Sequence, residues 1–195
     1  MNFFKNLLFA SSLIVGAAAL VPQAAQATVV NFDSLTGNGI VANGYGGITW
    51  DSNWSYYDTP QTPYNPSSWA TRIFANYKKF PEKKFSDISF SFGTPVSFQG
   101  ASFAGFSGLG DLTVSVYLAG ILKATTSLFS PNGLATFLAS GYAGAVDKVV
   151  VHGKAGYYVM DDVTYASVST VPVPAAIWLM LTGVAGLAGI RRARA

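Results

Sequence analysis

Leu112-Thr113-Val114-Ser115-Val116-Tyr117-Leu118-Ala119-Gly120-Ile121 alternates apolar and polar residues without a break until Ala119-Gly120. Successive side chains of an extended strand point to opposite faces, so Leu112, Val114, Val116 and Leu118 share one face and Thr113, Ser115 and Tyr117 the other. That is the pattern of a sheet with one side on a core and the other toward water. Ala119-Gly120 reads as a hairpin turn into a further strand over residues 121–127. Upstream, Ile88, Phe90 and Phe92 alternate with Ser89 and Ser91, and residues 96–104, 135–138, 148–151 and 157–165 read as strands. Pro131-Asn132-Gly133 and Ser140-Gly141 punctuate them. Many short strands with frequent turn signals predict an all-β fold, a single jelly-roll-like β-sandwich over residues 28–165. No internal repeat is evident.

Composition narrows the function classes. Cysteine is absent, which excludes thiol catalysis, disulfides and cysteine metal sites. The chain carries a net charge of +3. Lys5, Arg191, Arg192 and Arg194 lie in the terminal stretches and no acidic residue does, so the body is left at −1. The basic balance therefore belongs to the ends and gives no support to nucleic-acid binding.

Both ends read as targeting signals. Lys5 precedes an apolar run over residues 7–20, then Pro22, then the small-x-small site Ala25-Gln26-Ala27. This is a signal peptide over residues 1–27, cut after Ala27 to leave Thr28 first, and it implies the Sec translocon and signal peptidase as partners. At the other end a linker, residues 166–170, leads to Val171-Pro172-Val173-Pro174-Ala175-Ala176 and Trp178. An uncharged run over residues 175–190 follows, then Arg191, Arg192 and Arg194. Sixteen helical residues span about 24 Å, short of a bilayer core of about 30 Å. Arginine snorkelling covers the difference and keeps the basic end, residues 191–195, cytoplasmic.

The tail over residues 171–195 resembles a PEP-CTERM sorting domain, with its Pro-x-Pro start, Trp178, the Gly183/Gly186/Gly189 spacing and the arginine end. Val173 stands where the name-giving form has glutamate. The resemblance implies an exosortase in the inner membrane as partner, transient anchoring with the body outside the cytoplasm, and delivery to the cell surface or medium. The body resembles the ectodomains common among such proteins, through Asn31-Phe32-Asp33, Gly47-Ile48-Thr49-Trp50 and Val159-Met160-Asp161-Asp162-Val163. This implies a carbohydrate-binding-module architecture and a role, structural or exopolysaccharide-associated, in the matrix or biofilm.

Two groups in the body are candidate sites. Tyr158 and Met160 share one phase, Val163 and Tyr165 the opposite one, so burying all four requires a bulge at Asp161-Asp162. Resemblance to carbohydrate-binding sandwiches implies a structural Ca²⁺ between first and last strands, with Asp33 and either Asp161 or Asp162 supplying two of its ligands; solvated or turn-capping aspartates are the alternative. The second group lies in residues 43–80, read as a long irregular loop dense in aromatics. Trp54, Tyr56, Tyr57 and Trp69 are the residues expected to stack on sugar rings, unless they pack beneath their own loop. The lysine run at residues 78–84 reads as a solvated turn or edge guard, or a contact for acidic exopolysaccharide. His152, the only histidine, has no catalytic company. A hydrolase would have to fall back on Asp51 and Asp58, since Glu82 is the only glutamate. The sequence reads as non-enzymatic.

Overall fold

A computed structural model describes residues 26–68, 70–76 and 85–168, all within one unit, Ala24–Ser169. The predicted tail, the signal peptide up to Ala25, the lysine run and Trp69 lie outside the described residues. Among the described residues no helix is long and apolar enough to cross a membrane.

The described chain is all-β. Its strands are β1 (Ala27–Val30), β2 (Asn38–Ile40), β3 (Ile48–Trp50), β4 (Trp54–Tyr57), β5 (Arg72–Ala75), β6 (Phe85–Gly105), β7 (Leu112–Leu118), β8 (Ile121–Thr125), β9 (Thr136–Ala139), β10 (Ala145–Lys154) and β11 (Tyr158–Ser167). Every described pairing is antiparallel, and the order runs β2-β4-β5-β11-β6-β10-β7-β8. The 21-residue β6 serves two groups of strands. Its first part pairs with β3 and β10, its last part with β9 and β11, with β10 also reaching Val96 and Ser97 past a register shift. The changeover brackets Gly93-Thr94-Pro95, all exposed, where proline offers no ladder N–H. Ile88, Phe90, Val114, Val116, Val149 and Val151 from one group share a single core cluster with Trp54, Ile73, Phe103, Met160 and Val163 from the other. The architecture is sandwich-like. Each fully buried side chain of this size contributes about 1.5–3 kcal/mol.

β7 follows its sequence pattern: Leu112, Val114 and Val116 are buried while Thr113, Ser115 and Tyr117 are half-buried on the other face. The turn to β8 has Ala119 at φ 50° and Gly120 at φ 77°, with Leu118 paired to Ile121. Two left-handed residues match the type I′ turn that suits strand twist. Gly153 in β10 is required by close approach: a Cβ there would come within 2.7 Å of the Tyr158 ring.

Residues 43–80 depart from the expected loop, since they contain β3, β4 and β5. Strands of three or four residues show too little alternation to be read, and their position comes from aromatic packing instead. The Trp50 ring lies 5.1 Å from Phe90 and 5.6 Å from Phe32. The boundaries also differ. β11 runs to Ser167, inside the predicted linker, and β1 begins at Ala27, so the predicted new terminus Thr28 sits within a strand opposite Tyr165.

Candidate functional site

β4 and β5 form a hairpin whose long connection, residues 58–71, folds over the end of β11. Tyr57 and Arg72 are direct cross-strand partners and so share a face of the ladder. The Arg72 guanidinium lies 5.2 Å from the Tyr57 ring centroid, within cation–π range.

The connection is pinned along its length. Asp58 accepts the Gly37 amide at 2.5 Å. The Tyr64 hydroxyl donates to the Gly156 carbonyl at 2.5 Å, and its ring stands edge-on to Phe106 at 5.4 Å. Asn65 donates through Nδ2 to the Gly133 carbonyl at 2.6 Å. The result is a cleft of about 350 Å³ between the connection and β11, whose walls include Tyr57, Gln61, Tyr64, Arg72, Phe74 and Val159. Ligand pockets start at about this size.

Arg72 is 2 % exposed. Its Nη1 donates to the carbonyls of Thr59 and Ala70, the latter at 3.4 Å, and its Nη2 to Gln61 Oε1 at 3.4 Å. All three acceptors are neutral, and no carboxylate among the described residues lies within ion-pair distance. Burial pushes the guanidinium pKa down, with Tyr57, Asp58 and Tyr64 pulling it back.

Further along the same connection, at Ser67 and Ser68, stand the three aspartates singled out for calcium. Asp161 is 1 % exposed. Its Oδ2 accepts the Ser67 amide at 3.0 Å, the Ser68 amide at 2.9 Å and both serine hydroxyls at 3.1 Å. Its Oδ1 accepts the Asp162 amide at 2.8 Å. Ser67 Oγ also reaches Asp162 at 2.6 Å and Ser68 Oγ reaches Asp33 at 3.2 Å. The expected bulge falls here, with register shifts between Asp161 and Thr164 and Asp162 at φ 48°. Burial, the dominant influence, pushes the Asp161 carboxyl up to about 6, against the amides and hydroxyl that favour its charged form.

This donor set does not fit calcium. The ion needs six to eight oxygens facing it. Here three amide N–H groups point positive dipoles at the central carboxylate, and the serines stand between the aspartates. Among the described residues no group of three or more acidic or histidine side chains is placed to hold a metal ion. The calcium expectation is corrected: the aspartates latch the connection to β11.

The aromatic expectation is corrected in part. Trp54 is fully buried, donates its indole N–H to the Ser89 carbonyl at 2.9 Å, and packs on Trp50 and Phe90, so it has no face for a ligand. Tyr56 is half-buried against the core, close over Gly39. Tyr57 does line the cleft, and Trp69 lies outside the described residues. Sequence reasoning passed over Arg72 and Gln61, and counted Tyr64 and Phe74 among the aromatics of residues 43–80 without singling them out. One signal for the first was present: Arg72 is the only arginine between the two targeting ends.

The other candidates are dispersed. His152 is exposed, its Nδ1 lying 2.5 Å from Asp87 and its ring stacked on Phe85 at 5.2 Å. Asp51 accepts the Asn53 amide at 2.9 Å, which leaves Asp51 and Asp58 each bracing a turn. A second depression of about 320 Å³ lies over the polar face of β6 and β10, beside Asp87, Lys148 and Tyr117.

No family model matches the chain, and no curated protein matches it. Among solved structures the chain is similar to a mutant of CBM29-2, a family 29 carbohydrate binding module. The two are 15 % identical with a TM-score of 0.41, over 73 % of this chain and 92 % of that one.

Proposed function

We propose that this is an exported, non-catalytic protein whose body binds polysaccharide in the cleft between residues 57–72 and β11. The observation that carries the reading is the cleft's lining: the aromatic rings of Tyr57, Tyr64 and Phe74 beside a buried guanidinium in about 350 Å³. Sugars offer C–H faces that pack on aromatic rings, and hydroxyls that accept from groups such as Arg72 or pair with Gln61. The tail at residues 171–195 supports sorting by an exosortase and a place in exopolysaccharide or biofilm at the cell surface. Retention in gels cast with polysaccharide tests the binding. Tyr57→Ala is expected to abolish the retardation, and unaltered migration of the unmutated protein across a panel of neutral and acidic glycans overturns the reading. For the sorting, intact mass of protein from the medium should begin at Thr28 and lack the arginine end.

A further inference from the structure

Among the described residues Arg72 is a charge buried without a counter-charge, and such a group is costly unless something meets it. It is 2 % exposed, and of its three hydrogen bonds two are at 3.4 Å, the outer limit. A guanidinium has five donors in a rigid fork. Three are engaged here by neutral oxygens, so part of the fork is unspent among the described residues. The nearest carboxylate that influences it, Asp58, is already held by the Gly37 amide and the Thr59 hydroxyl at 3.3 Å. Tyr57 lies against the guanidinium, and the Tyr64 bond to Gly156 fixes a second ring at the same cleft. The body's charge of −1 supplies no general pull on anions, so selectivity for one would have to come from this point.

We propose that the cleft takes a carboxylated sugar, a uronate residue of an acidic polysaccharide. Its carboxylate would sit on Arg72 and its ring against Tyr57 and Tyr64. Planar guanidinium–carboxylate pairing is the strongest polar contact available to the fork, and burial keeps it from being screened by salt. The inference rests on the glycan-binding reading above and adds the class of glycan.

The test compares three ligands on the full-length protein in detergent, by calorimetry: an oligogalacturonate, the same oligomer fully methyl-esterified, and inorganic sulfate. The acid form is expected to bind at least tenfold tighter than the ester, with sulfate far weaker than either sugar. Arg72→Lys, which keeps the charge and loses the fork, should cost the acid form about tenfold and the ester clearly less, since the ester loses only a hydroxyl contact. Tyr57→Leu should weaken both sugars alike. Equal affinity for acid and ester overturns the uronate assignment and leaves glycan binding standing. Sulfate binding as tightly as the sugar acid also overturns it, since the cleft would then be a plain anion site. No binding of either oligomer removes the glycan reading together with its refinement. The acid–ester comparison needs no variant, so it holds even where Arg72→Lys folds poorly.

Discussion

Asp161 and Arg72 are both buried charges held against one chain segment, residues 58–71, and they are met in opposite ways. Asp161 is surrounded by three amides and two hydroxyls, a complete set of donors for its carboxylate. Arg72 is met by three neutral acceptors, two of them at 3.4 Å. A saturated buried charge holds structure together; an unsaturated one beside a cleft is available to a ligand. Under the proposed reading, the difference separates the residue that closes the connection from the residue that meets the ligand.

The sharpest way to break this contrast is to truncate both. Asp161→Ala orphans amides of Ser67, Ser68 and Asp162, and each buried unsatisfied donor costs about 1–3 kcal/mol. A loss of about 3 kcal/mol or more is expected, read as a melting midpoint lower by roughly 10 °C. Arg72→Met removes an undersatisfied cation but leaves the Thr59 and Ala70 carbonyls and Gln61 without their donor, two of these bonds being long, so it should cost about 1–2 kcal/mol, less than Asp161→Ala. Equal destabilisation by the two variants would erase the distinction.

A pH series sharpens it next. The Asp161 carboxyl is raised from 3.8 to about 6 in the fold, so the folded state favours its protonated form. Its contribution is fully present below about 4 and is lost as pH rises through about 6. The span corresponds to on the order of 3 kcal/mol. Wild type minus Asp161→Asn, followed by chemical denaturation from pH 3.5 to 7.5, should show this slope; parallel curves would count against the burial of Asp161.

Smaller effects remain. Ser68→Ala removes one hydroxyl shared by Asp33 and Asp161 and should cost about 1 kcal/mol in the same denaturation experiment. EDTA should leave the melting midpoint where it is, because the amides rather than an ion satisfy the carboxylate; a drop would restore the calcium reading.

What the sequence disclosed depends on which force placed each residue. The alternation from Leu112 to Leu118 is set by one-sided burial, so β7 and its Ala119-Gly120 turn were legible. The change of phase between Met160 and Val163 located the bulge for the same reason. β3, β4 and β5 were not legible, since their place comes from rings meeting across distant segments, as Trp54 meets Phe90. The cleft was partly hidden for a related reason. Tyr57 and Arg72 are fifteen positions apart, and only the hairpin register sets one against the other. The calcium expectation took the right three aspartates and the wrong glue, because two intervening serines, Ser67 and Ser68, come from a segment that shows no sequence link to β11.

One consequence of the β1–β11 pairing concerns mechanics. Ala27 lies opposite Ala166 in an antiparallel ladder, so the incoming and outgoing backbone leave the body side by side. Tension applied between these two points would peel the ladder open one rung at a time, like a zipper, instead of shearing all its rungs together. A body drawn by one end alone would be spared that mode of failure.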